Sequence, residues 1–307
     1  MQNGFQAKTL ATLAAVTLAG TALTACSTES EDAAEGSGII ATTGVWADVA
    51  AAVTGEDVDA IITGDAVDPH HFEPSAKDLS RIKEAATVVA NGGAYDAALY
   101  TVAEQDRIVH AIPLLDHAEH DHEHAHSDHL PESLDELEHA WFAPSKVREV
   151  ADAVAQRTGG DAGVVDTRIA AIEEKLASVP HVHIGMTEPI AAGLVWGTEL
   201  HDITPEEYVK ASLNHQEPSA AAVSAFLNQI KQGDIDMLFV NPQSTNSATE
   251  RLAAVAQMKM SPLLRFGKLP RQARTSSTTL RRSWTKSWRS PTTPSQASTT
   301  ISQDIHI

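Results

Sequence analysis

The sequence predicts an α/β protein with two lobes, each a parallel sheet flanked by helices, joined by a helical connector. Short apolar runs alternate with amphipathic helical segments in two separate stretches of the chain, and only helical periodicity lies between them. The length of 307 residues accommodates two ordinary domains, and the 42% hydrophobic content is typical of a globular protein.

The first lobe is predicted over residues 38–143. Its strands are short apolar runs at 39–42, 58–62, 87–90 and 108–112. Its helices are amphipathic segments at 46–53, 75–84 and 95–104. Ser75 and Asp78 have the spacing of a helix start, which supports the second of these helices.

The connector is predicted over residues 144–179. Its first part carries apolar side chains at i, i+3, i+4 and i+7, beginning with Val147, and a second helical stretch follows at 164–179. Gly159 and Gly160 interrupt the helical pattern between the two parts.

The second lobe is predicted over residues 180–257. Two strands, at 181–186 and 235–240, alternate with two helices, at 219–232 and 247–257. Gly233 is a typical stop signal for the first helix, and Ser247 with Glu250 marks the start of the second.

The N-terminal segment is predicted to be a signal peptide over residues 1–25, because a short apolar run follows a weakly basic start. The run ends in Leu23-Thr24-Ala25-Cys26, which resembles a bacterial lipobox with Cys26 as the lipidated residue. Residues 26–37 then form a polar tether. We therefore expect an extracytoplasmic protein, held to the cell membrane by lipid.

Charge and cysteine content exclude several classes of protein. The formal net charge of −19 argues against nucleic-acid binding, which needs a basic face. The single cysteine excludes an intramolecular disulfide framework and a cysteine-rich structural zinc site.

The C-terminal tail, residues 258–307, differs from the rest of the chain. From residue 261 onward it holds eight basic and one acidic residue and is rich in serine and threonine. We expect either disorder or a reading-frame shift near codon 258, which would leave the second lobe incomplete and the edge of strand 235–240 without a neighbour. Translation of the other two frames tests the shift, because one should encode an apolar strand followed by an acidic helix.

Three motifs lie at predicted strand ends or beside the histidine-rich segment. They are Asp68-Pro69-His70-His71-Phe72-Glu73-Pro74, Glu138-His139-Ala140-Trp141 and Thr187-Glu188-Pro189. Because ligands of α/β sheets bind at the carboxyl ends of the strands, these motifs favour one common site. Imidazole and carboxylate donors suit Zn²⁺, and Mn²⁺ becomes possible if more oxygen ligands join.

A histidine-rich insert at residues 116–130 indicates a second, weaker kind of metal binding. It contains six histidines among several acidic residues: His117, His120, His122, His124, His126 and His129. Such tracts bind transition metals loosely. Its match to H-E-x-x-H is not that of a metalloprotease, because no apolar helical face surrounds it.

Together the motifs resemble the zinc/manganese solute-binding proteins of bacterial ABC transporters over residues 38–257. The motifs that carry the resemblance occur in order: Trp46-Ala47-Asp48-Val49, Asp68 to Pro74, Asn91-Gly92-Gly93-Ala94-Tyr95-Asp96, the insert, Glu138 to Trp141, Thr187 to Pro189 and Asn241-Pro242-Gln243-Ser244. The resemblance implies two lobes joined by a long helix, with the metal in the cleft.

The resemblance further implies His70, His139 and Glu188 as metal ligands, the insert as a collector, and an ABC permease as partner. It implies no enzymatic activity, and we expect a monomer. The connector is shorter than the family's, and the acidic fourth ligand of the family has no counterpart here. A manganese receptor, a secreted metallohydrolase and a metal-buffering or adhesion lipoprotein remain as alternatives.

Overall fold

The computed structural model describes residues 38–64, 68–115, 129–259 and 263–265, and it confirms the two-lobed α/β architecture. The predicted signal peptide, Cys26 and the tether lie outside the described residues. So do most of the tail and five of the six histidines of the insert, of which only His129 is described.

The first lobe contains a four-stranded parallel sheet in the order β2-β1-β3-β4. Its elements, in chain order, are β1 (Ile39–Thr43), α1 (Gly44–Thr54), β2 (Asp59–Ile62), α2 (Ala76–Glu84), β3 (Thr87–Ala90), α3 (Ala97–Tyr100) and β4 (Ile108–His110). The central strands β1 and β3 are buried along their whole length, as their continuous apolar runs predict.

Helix α3 is shorter than the predicted segment 95–104. The Asp96 carboxylate accepts hydrogen bonds from the backbone N–H groups of Asn91 and Gly92, so the chain before the helix is held as a loop. Helix α2, in contrast, begins where predicted, with a complete capping box between Ser75 and Asp78.

The connector consists of two helices, α4 (Pro144–Thr158) and α5 (Gly163–Ala177), rather than the one long helix implied by the resemblance. Gly159 ends α4 with φ of 76°, a left-handed conformation that glycine adopts without strain. A side chain at Gly160 would place Cβ 2.5 Å from the Val53 carbonyl oxygen, so the chain turns back against α1 there.

The second lobe also contains a four-stranded parallel sheet, in the order β6-β5-β7-β8. Its elements are β5 (Val182–Met186), α6 (Ala192–Val195), β6 (Leu200–Asp202), α7 (Glu206–Leu213), α8 (Ala220–Gln232), β7 (Met237–Val240), α9 (Ser247–Met258) and β8 (Leu263–Arg265). The sequence pattern did not indicate β6, β8, α6 or α7.

Strand β8 corrects one expectation about the tail. Leu263 and Leu264 pair in parallel register with Leu238 and Phe239 of β7, so the edge of β7 has a neighbour. The expected loss of that neighbour was wrong, because a short apolar run within the basic tail supplies the strand. A reading-frame shift near codon 258 stays a prediction.

An apolar cluster joins the two lobes. It includes Trp46 of α1, Val150 of α4, Ile184 of β5 and Phe239 of β7, all of them buried. Since these side chains belong to one packed cluster, the sheets on either side of the cleft are held by a common core. Among the described helices, none combines the length and apolar character needed to cross a membrane.

Candidate metal centre

His70 lies in a single helical turn, Pro69–His71, that follows the first lobe's strand β2. Asp68 begins this turn, and its carboxylate accepts a hydrogen bond from the His70 backbone N–H at 3.1 Å. The His70 side chain is 5% exposed, whereas the His71 side chain is 83% exposed. The local fold therefore directs His70 inward and leaves His71 at the surface.

Glu138 is the immediate partner of His70. Its Oε2 lies 3.1 Å from His70 Nε2, and its backbone oxygen accepts a hydrogen bond from the Asn91 side chain at 2.8 Å. Burial alone would raise the pKa of the Glu138 carboxyl, but the hydrogen bond from His70 and the charges of His139, His70 and His215 lower it. The carboxylate is therefore ionised at neutral pH and available to a cation.

His215 comes from the second lobe, in the loop between α7 and α8. Its φ of 52° is left-handed, which is uncommon for a residue other than glycine. Its ring centroid lies 5.0 Å from that of His70. One ligand atom from each of His70, Glu138 and His215 lies within 4.8 Å of the other two, so the three residues could hold a metal ion after a small closure of the group.

The structure brings the predicted ligands His139 and Glu188 to the same cavity, beside this compact group. Glu138, His139, Glu188 and His215 all line that cavity. Glu188 accepts a hydrogen bond from the Asn241 side chain at 2.6 Å. We expected His70, His139 and Glu188 to converge within about 4 Å, whereas the compact group among the described residues is His70, Glu138 and His215. Metal ligation by His139 and Glu188 stays a prediction.

Aromatic side chains form the inner wall of the centre. Tyr95 contacts His70 edge-on at a ring-centroid distance of 5.2 Å and lies 5.8 Å from His139, which also packs on Trp141 at 5.2 Å. Burial raises the pKa of the Tyr95 hydroxyl well above its ordinary value, and nearby carboxylates, first among them Glu138, raise it further. Tyr95 is therefore a neutral wall that fixes the orientation of the two imidazoles.

A buried hydrogen-bond network holds the loop that supports Glu138. The Asn91 side chain accepts a hydrogen bond from the Trp46 indole at 3.3 Å while it donates to the Glu138 backbone. Gly92, with φ of 94°, lies so close to β4's end that a Cβ would be 2.1 Å from the Ile112 carbonyl oxygen. Asn91 is therefore required for its hydrogen bonds, and Gly92 is required because no side chain fits at its position.

Two members of the compact group, Glu138 and His215, were not predicted as ligands from the sequence. Glu138 directly precedes the predicted ligand His139, and this position is the sequence signal that could have identified it. His215 is an isolated histidine between two helices. Nothing in the sequence pattern marks it, because its closeness to His70 depends on how the two lobes pack.

The first lobe and α4 match a known protein family. Residues 39–159 match the family described as zinc-uptake complex component A, periplasmic (ZnuA). The predicted resemblance is confirmed. The matched segment includes His70, Glu138 and His139 of the centre. No curated protein sequence matches the chain.

Solved structures of periplasmic metal-binding proteins share the fold. The laminin-binding protein Lmb of Streptococcus agalactiae, described as an adhesin with metal-transporting activity, is 14% identical with a TM-score of 0.55, over 79% of this chain and 93% of that one. A ZnuA crystal structure is 18% identical with a TM-score of 0.52, over 75% of this chain and 91% of that one.

A manganese-bound neighbour has the same fold as well. It is a mutant of a periplasmic metal-binding protein from Candidatus Liberibacter asiaticus, 12% identical with a TM-score of 0.52, over 77% of this chain and 91% of that one. These neighbours share the fold of this chain, and they include a zinc-bound and a manganese-bound protein.

Proposed function

We propose that this protein is an extracytoplasmic receptor that binds Zn²⁺ with high affinity in the cleft and delivers it to an ABC permease. The observation that carries the proposal is the compact group of His70, Glu138 and His215, whose members come from both lobes. A cation bound there would have ligands from both lobes. Separation of the lobes would then break part of the coordination and release the ion to the permease.

The donor set favours zinc over manganese. Two imidazole nitrogens and one carboxylate oxygen make a nitrogen-rich set of borderline and hard donors, which suits four-coordinate Zn²⁺, whereas Mn²⁺ prefers sites richer in oxygen. His139 and Glu188 line the same cavity and are the proposed source of the fourth ligand, after small rotations of their side chains. The manganese receptor is the alternative within the same class.

The charge of the centre supports cation capture. Glu138 and Glu188 bring two carboxylates to the cavity, and Glu138 already holds an imidazole at 3.1 Å. A divalent ion would replace the proton shared between His70 and Glu138. We therefore expect zinc binding to release protons and to weaken in acid.

The size of the cavity argues against a metallohydrolase. Its volume is about 30 Å³, enough for an ion and a water molecule. Pockets for organic substrates are roughly 300–1,000 Å³. We accordingly propose a binding protein without a chemical step.

The location and the partners complete the proposal. Lipidation of Cys26 would hold the protein at the outer face of the cell membrane, close to its permease. The insert at 116–130 would collect zinc loosely and pass it to the cleft, which has the tighter set of ligands. We propose a monomer with no nucleic-acid partner.

Isothermal titration with Zn²⁺ and Mn²⁺ tests the proposal. His70→Ala should weaken the tightest zinc site by more than the roughly 10- to 100-fold typical of losing an outer partner of a ligand. The matched control is His71→Ala, because His71 is adjacent in sequence but 83% exposed, and it should leave the affinity unchanged.

His215→Ala and Glu138→Gln distinguish the compact group from the set predicted by sequence. Both should weaken zinc binding as strongly as His139→Ala if the ion lies between the lobes. Unchanged affinity in His215→Ala would remove His215 from the ligand set and leave Glu188 as the second lobe's proposed ligand. Only weak, multiple sites in the unaltered protein would instead favour a metal-buffering lipoprotein.

A further inference from the structure

Three histidines cluster on the second lobe, away from the cleft. His183 of β5 and His201 of β6 are directly paired in the parallel register, and His181 precedes His183 by two residues. Because side chains alternate along a strand, all three imidazoles lie on the same face of the sheet. The cleft lies at the carboxyl end of β5, where Glu188 follows, whereas this cluster lies at its amino end.

The face that carries the cluster is open to solvent where the histidines stand. Further along β5 the same face is covered, since a Cβ at Gly185 would be 2.6 Å from the Phe226 ring of α8. His181 and His201 are exposed and His183 is half-buried. The cluster therefore contributes little apolar burial, and core packing does not account for three imidazoles at this place.

The distances between the rings suit a shared metal ion. The ring centroids of His181 and His183 are 5.0 Å apart, those of His181 and His201 are 5.8 Å apart, and those of His183 and His201 are 5.9 Å apart. With Zn–N bonds of about 2.0–2.1 Å, an ion lies about 3 Å from each ring centre, and two tetrahedral imidazole ligands have centres roughly 5 Å apart. The backbone thus places the rings at the required spacing.

The ring orientations have to change for all three nitrogens to meet one ion. The interplanar angles range from 29° to 81°, so the rings do not yet face a common point. Exposed side chains change rotamer within picoseconds to nanoseconds, so this adjustment needs no movement of the sheet.

Carboxylates stand beside the cluster. Glu199, two residues before His201, has its Oε2 3.3 Å from His181 Nδ1. Asp236, which precedes β7, accepts a hydrogen bond from the His183 backbone N–H at 2.9 Å. Glu199 is placed to supply a fourth, oxygen ligand, and both carboxylates favour a cation over an anion.

We propose that His181, His183 and His201, with Glu199, form a second binding site for a late first-row divalent cation such as Zn²⁺ or Cu²⁺. Three imidazoles and a carboxylate are the ligand types of such ions, and Cu²⁺ binds these donors more tightly than Zn²⁺ does. The site is open to solvent and binds more weakly than the cleft, so its ion exchanges readily. This site is independent of the cleft and of the proposed transport function.

The test measures bound Zn²⁺ per chain by equilibrium dialysis of the full-length protein. The variant His183→Gln/His201→Gln should bind one ion fewer than the unaltered protein. The control His110→Ala removes another exposed strand histidine, whose ring is hydrogen-bonded to the Ile112 backbone, and should bind the full number. His70→Ala should not change occupancy of this second site.

A spectroscopic measurement guards against misfolding of the double variant. Pulsed electron paramagnetic resonance of added Cu²⁺ should show a component with several imidazole nitrogens that is lost in His201→Gln and retained in His110→Ala, with circular dichroism confirming that both are folded. Equal zinc stoichiometry in the double variant and the unaltered protein, or an unchanged Cu²⁺ spectrum in folded His201→Gln, overturns the proposal.

Discussion

Asp96 is a buried carboxylate whose titration should dominate one part of the protein's pH–stability curve. Its side chain accepts hydrogen bonds from the Thr42 hydroxyl at 2.5 Å and from the backbone N–H groups of Asn91 and Gly92 at 2.7 and 3.0 Å. Burial raises the pKa of Asp96 from 3.8 to about 6, although these hydrogen bonds oppose the rise.

The direction of the effect follows from proton linkage. The folded protein binds the Asp96 proton more tightly than the unfolded chain, because the folded pKa is the higher one. The resulting stability is fully present below pH 3.8 and is lost as the pH rises through about 6. A difference of about two pKa units corresponds to about 3 kcal/mol in the free energy of unfolding.

Asp96→Asn is the perturbation that isolates this contribution. Urea unfolding of both proteins, with a chelator present, gives their free energies of unfolding between about pH 4 and pH 8. Asparagine does not titrate. As the pH rises across that range, the free energy of unfolding of the variant should therefore increase by about 3 kcal/mol relative to that of the unaltered protein. The altered hydrogen bonding of asparagine adds an offset that does not vary with pH, so it does not affect how the difference between the two proteins changes with pH. A difference between the two proteins that stays constant with pH refutes the reasoning.

Three further predictions concern packing, the insert and the anchor. Gly185→Ala should lower the free energy of unfolding by about 1–3 kcal/mol, because its Cβ would be 2.6 Å from the Phe226 ring; calorimetry checks this, and an unchanged melting temperature contradicts it. Deletion of residues 116–130 should reduce the number of zinc ions bound in dialysis while sparing the tightest site; loss of all binding would make the insert the main site. Cys26→Ala should release the protein from membranes into the medium in cell fractionation, and retention in the membrane fraction would disprove the lipid anchor.

The sequence predicted elements well wherever burial on both faces leaves a continuous apolar run. Strands β1 and β3 are of this kind, and their bounds differ by at most one residue from those predicted. Strand β5 was also predicted, although only its last three residues are buried. Strand β6 was missed because it has three residues, of which only Leu200 is buried. Helix α7 was missed for a similar reason, since Tyr208 is its one buried residue.

The metal centre was predictable only in the part that local sequence determines. Asp68-Pro69 sets a helical turn in which the side chain of His70 is buried, and the motif Glu138-His139 brings both of its residues to the cavity. The contribution of His215 arises from the packing of the second lobe against the first. No local pattern encodes that packing, so an isolated, exposed histidine gave no sequence signal.

The central claim is that one zinc ion binds between the two lobes. Anomalous diffraction at the zinc edge, from crystals of the zinc-loaded protein, locates the ion directly. We predict a peak bonded to His70 and to Glu138 or His139 from the first lobe, and to His215 or Glu188 from the second. A cleft without a zinc peak in crystals whose other histidine clusters hold zinc would contradict the account.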